Sequence, residues 1–369
     1  MTLDARVDAW ASLAQKGLPQ RALVVLLRAL GDPSAVLRAS RTQLGALVPP
    51  AAVERLLAPI DAPRHGATRA WLEAPGNELI AWDDPDYPRA LFDIADAPPI
   101  LFHVGRRDLM NRPSLAIVGS RNATPQGLDN ARAFAAALSG AGVTIVSGLA
   151  LGIDAAAHRG ALDGDGSTLA VVGTGLDRVY PARHRELAHA VATRGALISE
   201  YPPGTPPLKE NFPRRNRLLS GLARGVLVVE ATLSSGSLIT ARLAGEQGRD
   251  VFAIPGSIHS PFSKGPHKLI REGAKLVETA QDVLDELQIG GASRVAAAAR
   301  GDDDDAITAA HKALLAAIAH DPVDLDTLIS RTQMSADAIA AALTTLELDG
   351  RIAALPGGRW QRVVSRTRA

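Results

Sequence analysis

The chain of 369 residues contains no cysteine, which excludes disulfide bonds and thiol catalysis. No apolar run reaches the roughly 20 residues that a membrane-spanning helix needs. Residues 1–6 lack the apolar segment that is typical of a secretory signal. These absences predict a cytoplasmic protein without a membrane partner.

The net charge is also close to zero, at +1, so the chain as a whole has no strong attraction for nucleic acid. Positive charge is concentrated in residues 206–275, which hold eleven Lys and Arg against five Asp and Glu. Hydrophobic residues make up 46% of the chain, enough to build the cores of two or three domains. A nucleic-acid site, if present, is therefore predicted to be local.

Common catalytic motifs are missing as well. The sequence has no phosphate-binding P-loop and no Gly-x-Ser-x-Gly nucleophile elbow. Asp154 and His158 are four residues apart, which favours a pair on a helix surface over half of a metal site. Glu230 ends a predicted strand and could serve as a general base, but we favour a carboxylate that orients neighbouring arginines. No cofactor is expected.

Apolar and polar patterning divides the chain into three parts. Residues 1–72 read as a small helical module of the SAM or helix-hairpin-helix type. Residues 78–288 alternate short apolar runs with helices, which predicts an α/β domain with a Rossmann-like parallel sheet covered on both faces. Within it, residues 78–110 are rich in Pro and aromatic residues and are expected to pack onto the sheet as an entry segment. The predicted strands are 115–119, 143–148, 169–173, 196–200, 226–230, 251–256 and 275–277.

The end of the chain is predicted to be a separate small domain. Residues 289–305 contain a run of four aspartates and read as a solvated linker. Residues 306–369 predict three helices and a hairpin, which is a winged helix. Its third helix has no Lys or Arg, whereas a helix that enters the major groove should carry basic residues. We therefore favour a protein-contact or regulatory role over duplex binding.

The most informative segment is residues 212–219, where arginines cluster at a predicted helix start. Pro213 suits the first position of a helix, and Arg214, Arg215 and Arg217 follow it. A helix amino terminus already carries partial positive charge, so these arginines call for an anion, and phosphate fits. Phe212 stands beside them and could stack on a base, although a core Phe with solvated arginines is the plain alternative.

Four loops at predicted strand ends resemble anion sites, because each offers backbone N–H groups or hydroxyls close to a helix start. Every sheet of this kind needs glycine turns, so one such loop is not diagnostic, whereas four of them together with Arg121 and the arginine cluster indicate an anion-binding edge. The loops are Gly119-Ser120-Arg121, Ser147-Gly148, Gly173-Thr174-Gly175 and Ser235-Gly236-Ser237.

Taken together, these motifs closely resemble the bacterial DNA-processing family called DprA or Smf. The resemblance rests on the loops above, on Phe212-Pro213-x-Arg215-Asn216-Arg217, on Tyr180-Pro181 and on Pro255-Gly256, and it covers about residues 80–290. It implies a non-enzymatic, single-stranded-DNA-binding protein that protects incoming strands in natural transformation and loads a RecA-type recombinase.

The resemblance also implies site residues and partners. Arg121 and Lys209 would contact DNA, and Phe212 would stack on or insert beside a base. A homodimer and an interaction with single-strand-binding protein are further expectations. The alternative is a nucleotide-binding or nucleotide-cleaving enzyme of the related phosphoribohydrolase group, but its Pro-Gly-Gly-x-Gly-Thr signature is absent. The full set of predicted DNA-binding residues is Gly119, Ser120, Arg121, Ser147, Gly148, Lys209, Phe212, Arg214, Arg215, Asn216, Arg217, Ser235, Gly236 and Ser237.

Overall fold

The computed structural model describes residues 4–289, 309–318 and 322–363. The chain begins with a helical module, as predicted. Gly31 ends the second helix at a φ of 91°, and the Asp32 side chain caps the third by accepting the Ala35 N–H at 2.8 Å. The six helices are α1 (Ala5–Gln15), α2 (Gln20–Leu30), α3 (Pro33–Arg38), α4 (Arg41–Gly45), α5 (Pro50–Leu57) and α6 (Ala62–Glu73).

A nine-stranded sheet follows, and it contains all seven predicted strands. Its order is β1-β2-β6-β5-β4-β3-β7-β8-β9, with β3 to β9 mutually parallel. The predicted entry segment supplies β1 and β2, which join the β6 side as antiparallel strands. The strands are β1 (Asn77–Ala81), β2 (Ile100–Gly105), β3 (Ser114–Val118), β4 (Thr144–Ser147), β5 (Thr168–Val171), β6 (Ala196–Ser199), β7 (Gly225–Val228), β8 (Asp250–Ala253) and β9 (Lys275–Leu276).

Helices cover both faces of this sheet. Successive strand residues point to opposite faces, so Ile117 joins one apolar cluster and Val118 the other. This two-sided burial explains why the strands are continuous apolar runs. The helices are α7 (Pro125–Gly140), α8 (Ile153–Ala161), α9 (Arg185–Arg194), α10 (Asn211–Leu222), α11 (Ser237–Glu246), α12 (Lys264–Arg271) and α13 (Ala280–Glu286).

The strand order creates a switch point between β3 and β7. From β3 the chain moves through β4 and β5 to β6 on one side, and β7, β8 and β9 then extend the sheet on the other. In open α/β sheets, ligands bind outside the carboxyl ends of the strands near such a point. The loops that were singled out in the sequence follow these strand ends and therefore share one edge of the sheet.

The carboxyl-terminal part folds as the predicted winged helix. Ser335 caps the third helix by accepting the Ala338 N–H at 3.4 Å. Gln361 donates from Nε2 to Gln126 Oε1 at 2.8 Å, which places the wing beside the start of α7. Residues 290–305 of the predicted linker lie outside the described residues. The elements are α14 (Ala309–Ile318), β10 (Val323–Asp324), α15 (Leu325–Thr332), α16 (Ala336–Leu348), β11 (Ile352–Leu355) and β12 (Arg359–Arg362).

Within the described ranges, no helix is both long and apolar enough to cross a bilayer.

Candidate nucleic-acid interface

The loops after β3, β4 and β5 lie side by side at the carboxyl edge of the sheet. Because neighbouring strands are about 4.8 Å apart, these three strand ends span about 10 Å. The β3 loop contributes Arg121, the β4 loop contributes Gly148, and the β5 loop packs against Phe212. The fold thus brings Arg121, Gly148 and Phe212, which are far apart in the chain, to the same edge of the sheet. We call this row of strand-end loops the strip.

Arg121 is exposed at the tip of the β3 loop. The loop is held below it, because the Ser120 N–H donates to the Glu230 carbonyl at 2.7 Å. Gly119 has no room for a side chain, since a Cβ there would lie 2.6 Å from Ile153 and 2.8 Å from the Glu230 carbonyl oxygen. Gly119 and Ser120 therefore shape the loop, and Arg121 is the part of it that a ligand can reach.

Glu230 occupies the amino terminus of α7 at the switch point. Its carboxylate accepts the Thr124 N–H at 2.9 Å and the Thr124 hydroxyl at 2.6 Å. Burial raises its pKa. The expectation that Glu230 orients arginines was wrong: the carboxylate caps a helix, where an anion is favoured by the unpaired N–H groups. A protein carboxylate thus fills the position where such folds often hold a phosphate.

The β4 loop is tied to its own helix. Ser147 is fully buried and donates to the Ile117 carbonyl at 2.7 Å, so its hydroxyl serves the sheet. The Gly148 and Ala150 N–H groups donate to Asp154 Oδ2 at 3.1 and 3.3 Å. A Cβ on Gly148 would lie 2.3 Å from the Arg215 guanidinium. Gly148 thus leaves room for the Arg215 guanidinium, which packs directly on its backbone.

Arg215 lies beneath this loop and is only 4% exposed. Its Nη1 donates to the Val171 carbonyl at the end of β5. Burial lowers its pKa to about 10, against the attraction of nearby Asp154, so it stays charged at neutral pH. The same burial raises the pKa of the Asp154 carboxyl, because burial disfavours the charged form of either group. Arg215 thus connects the ends of β4 and β5 from inside the protein. The β4 loop covers its guanidinium, so a phosphate could contact Arg215 only if this loop moved.

His158 and Asp154 are not a surface pair, as the sequence suggested, because both are buried, at 0% and 7% exposure. His158 Nε2 accepts the Leu149 N–H at 3.3 Å, and its Nδ1 lies 2.7 Å from the Thr168 hydroxyl, which donates to the Ile145 carbonyl. A neutral His158 imidazole therefore uses both of its ring nitrogens in hydrogen bonds. Leu149 has a φ of 57°, so His158 supports a strained point of the loop.

Arg217 is neutralised inside the protein. Its guanidinium donates to both carboxylate oxygens of Glu200 at 2.8 Å, and its Nε lies 2.6 Å from Asp96. The Arg217 and Glu200 side chains are 8% and 7% exposed. The Arg214 side chain, by contrast, is 67% exposed, and its Nε approaches the Glu200 carboxylate only to 3.9 Å. Of the three arginines in the cluster, Arg214 is the one whose side chain is open to solvent.

Helix α10 begins at Asn211, two residues before the predicted start. The Asn211 side chain donates to the Gly173 carbonyl at 3.1 Å and anchors the first turn. Phe212 follows and is half-buried, with Gly173 against its ring. Tyr180 also contacts Phe212, with 5.4 Å between the ring centroids.

The remaining predicted residues differ in their placement. Lys209 is exposed just before α10, and Asn216 is half-buried on the helix. Gly236 is exposed at the start of α11, where the Ser235 and Ser237 hydroxyls bond to each other at 2.7 Å. This last loop shares the edge of the sheet, but it lies on the far side of β7. The predicted DNA contacts of all these residues stay predictions.

Sequence reasoning missed three contributors to this site. It assigned no role to Tyr180, and it did not pair Arg217 with Glu200 or Arg215 with Asp154. Glu200 ends a predicted strand, so its position at the same edge could have been inferred from strand order. Asp96 carries no such signal, because it lies in an irregular segment 121 residues before Arg217.

Comparison with known proteins gives a consistent match. A family model described as DNA recombination-mediator protein A matches residues 78–288, and one described as DprA winged helix domain matches residues 296–358. Protein Smf of Escherichia coli (strain K12) is 44% identical over 292 residues, 78% of each chain. DNA processing protein DprA of Streptococcus pneumoniae (strain ATCC BAA-255 / R6) is 51% identical over 205 residues, 56% of this chain and 72% of that protein.

Solved structures agree. The X-ray structure of DNA processing protein A from Streptococcus pneumoniae aligns with a TM-score of 0.67 at 39% identity, over 78% of this chain and 99% of that one. DNA processing protein A from Helicobacter pylori, in a structure described as showing its single-stranded DNA binding mode, aligns with a TM-score of 0.53 at 31% identity. It covers 57% of this chain and 95% of that one.

The buried His158 predicts acid sensitivity. Burial, with help from the nearby charges of His184 and Arg215, lowers its pKa from 6.5 to about 3. Between pH 6.5 and pH 3, His158 is therefore protonated in the unfolded chain but neutral in the folded protein. The free energy of unfolding is highest above pH 6.5 and decreases as the pH falls toward 3. Each pH unit in this range should lower the free energy of unfolding by about 1.4 kcal/mol. Between pH 6.5 and 5, urea unfolding should therefore show that wild type loses about 2 kcal/mol more of its unfolding free energy than His158→Gln does.

His189→Gln is the control for this experiment, because His189 is exposed. Its unfolding free energy should follow the wild-type pH curve. Parallel curves for wild type and His158→Gln would contradict the assignment.

The buried ion pair predicts a second difference. Arg217→Ala leaves Glu200 buried without its partner, and breaking such a pair costs about 3–5 kcal/mol. Arg214→Ala removes an exposed arginine and should change the unfolding free energy by less than about 0.5 kcal/mol. Urea unfolding at neutral pH measures both variants, and equal stability of the two would show that the Arg217 pair is not structural.

Proposed function

Because the chain belongs to the DNA recombination-mediator protein A family, we propose that it binds single-stranded DNA along the carboxyl edge of its sheet. Family membership gives it a role in DNA processing. The Helicobacter pylori relative, described by its single-stranded DNA binding mode, supports the more specific proposal.

One arrangement of residues carries this proposal. Arg121 is an exposed cation on the β3 loop, and Lys209 and Arg214 are exposed cations that precede and follow the half-buried Phe212 in the chain. Exposed cations attract phosphates, and an aromatic ring offers a face on which a base can stack. We assign the phosphate contacts to these three cations. Arg215 and Arg217 act beneath them, by holding α10 and the β4 loop in place.

Phe212 also favours single strands over duplexes. Bases in a duplex are already stacked on their neighbours and paired at their edges, so they present no free face to a protein ring. A single strand exposes each base to such stacking, which tolerates any sequence. The site therefore suits strands that arrive without a complement.

The wider role follows from the same family. We propose that the protein covers incoming single strands in the cytoplasm during natural transformation and loads a RecA-type recombinase onto them. A homodimer and contact with single-strand-binding protein belong to this proposal. Covering a strand by its backbone and base faces would protect it from nucleases and leave the outer side of the strand open to a recombinase.

A nucleotide-cleaving enzyme is the rival function, and Glu230 is its strongest candidate for a general base. Both Glu230 carboxylate oxygens accept hydrogen bonds from Thr124 at the start of α7. A carboxylate held in this way caps a helix instead of activating water, so we propose a non-enzymatic role. Incubation with nucleoside monophosphates tests this directly, and release of free base at catalytic rates would support the rival.

Binding of an oligothymidine should depend strongly on salt. Three phosphate contacts predict a slope of log K against log salt near −2, from about −0.7 per contact on single strands. Arg121→Ala, Lys209→Ala and Arg214→Ala should each weaken binding and reduce the slope by one contact's share. Fluorescence anisotropy at several salt concentrations measures both quantities.

Arg194→Ala is the matched control. Arg194 is exposed and precedes β6, so it lies at the opposite edge of the sheet. This variant should keep the wild-type affinity and slope. Wild-type slopes in all three edge variants would refute the assigned strip, and equal affinity for duplex and single strand would refute the strand preference.

Removal of the Phe212 ring should weaken strand binding. Stacking of one base is worth about 1–3 kcal/mol, so Phe212→Ala should lose about fivefold to a hundredfold in affinity. Phe212→Leu keeps apolar bulk without an aromatic face and should lose most of the same affinity. Stability should fall by less than the about 3–5 kcal/mol of a fully buried Phe. Unchanged affinity in both variants would reject the stacking role.

A further inference from the structure

A second aromatic ring lies against Phe212. Tyr180 is 47% exposed. The two ring centroids are 5.4 Å apart and the ring planes are tilted by 41°. Tyr180 therefore contacts Phe212 and still presents surface to solvent.

The two rings are supported differently. Phe212 is packed on Gly173, where a Cβ would lie 3.1 Å from the ring, and Asn211 fixes the helix turn that carries it. Tyr180 stands on the loop after β5 and contacts Phe212. Because almost half of Tyr180 stays exposed despite this contact, its ring can take a partner of its own.

A second pair in the molecule shows what a purely structural tyrosine looks like. Tyr87 and Phe92 have centroids 5.0 Å apart and a tilt of 39°. Tyr87, however, is 1% exposed, and its hydroxyl donates to the Pro98 carbonyl at 2.5 Å. Within the described residues, the Tyr180 hydroxyl has no such partner, so its exposed position is not explained by a hydrogen bond.

We propose that Tyr180 forms a second nucleobase subsite, which stacks the base next to the one that Phe212 holds. The inference rests on the proposed function, since it extends the same strand-binding site. Exposed cations flank the two rings, with Arg183 three residues after Tyr180 and with Lys209 and Arg214 on either side of Phe212. A strand that crosses both rings thus meets positive charge before and after its two stacked bases.

The test uses the full chain with an oligothymidine and with an abasic oligomer of equal length. Tyr180→Ala should weaken oligothymidine binding by about fivefold to a hundredfold, as for one stacked base, and should leave abasic binding unchanged. Tyr180→Phe keeps the ring and should bind like wild type. Phe92→Ala, which removes the exposed ring of the other aromatic pair, should also bind like wild type.

A double variant separates a base subsite from a mere support for Phe212. If Tyr180 holds its own base, the double variant binds more weakly than Phe212→Ala alone, although the two losses need not multiply because the rings are in contact. A double variant that binds no more weakly than Phe212→Ala overturns the proposal, as does an equal loss in Tyr180→Phe or on the abasic oligomer. Failure of wild type to bind oligothymidine would instead refute the proposed function itself.

Discussion

The site depends on one constraint, which is that helix α10 carries two buried arginines to the carboxyl edge of the sheet. A buried charge without a partner costs several kcal/mol, so each guanidinium must meet its counter-charge in a fixed geometry. Arg217 meets Glu200 and Asp96, while Arg215 meets the Val171 carbonyl and the field of Asp154. These contacts fix the position of α10 and thereby aim Phe212 and Arg214 outward.

A second constraint is that a protein carboxylate occupies the usual phosphate position of such sheets. In dinucleotide-binding sheets, the helix that starts at the switch point holds a phosphate at its amino terminus. Here Glu230 takes that place at the start of α7 and satisfies the Thr124 N–H. The exposed Arg121 and the half-buried Phe212 lie instead at the loops after β3 and β5. A row of strand-end loops suits a chain of nucleotides better than a single crevice does.

Sequence patterns predicted the sheet well, because its buried strands are apolar runs that end in glycine or a polar residue. They also marked Arg121, Lys209 and Phe212, which prove to be reachable from solvent. They failed where a residue's partner comes from a distant segment. No sequence pattern near Arg217 predicts its ion pair with Asp96. The spacing of Asp154 and His158 places them on one face of α8 but does not indicate whether that face is buried. The early start of α10 likewise depends on the Gly173 carbonyl, which Asn211 reaches only in the folded chain.

The division of α10 into buried and exposed charges separates stability from binding. Salt screens exposed charges over about 10 Å at 0.1 M but acts weakly on buried pairs. Raising the salt concentration should therefore weaken the phosphate contact that we propose for Arg214, while the Arg217–Glu200 pair keeps the helix in place. Under this proposal a strand can be released from a fully folded site, because the charges that would hold the strand are not the ones that hold the fold together.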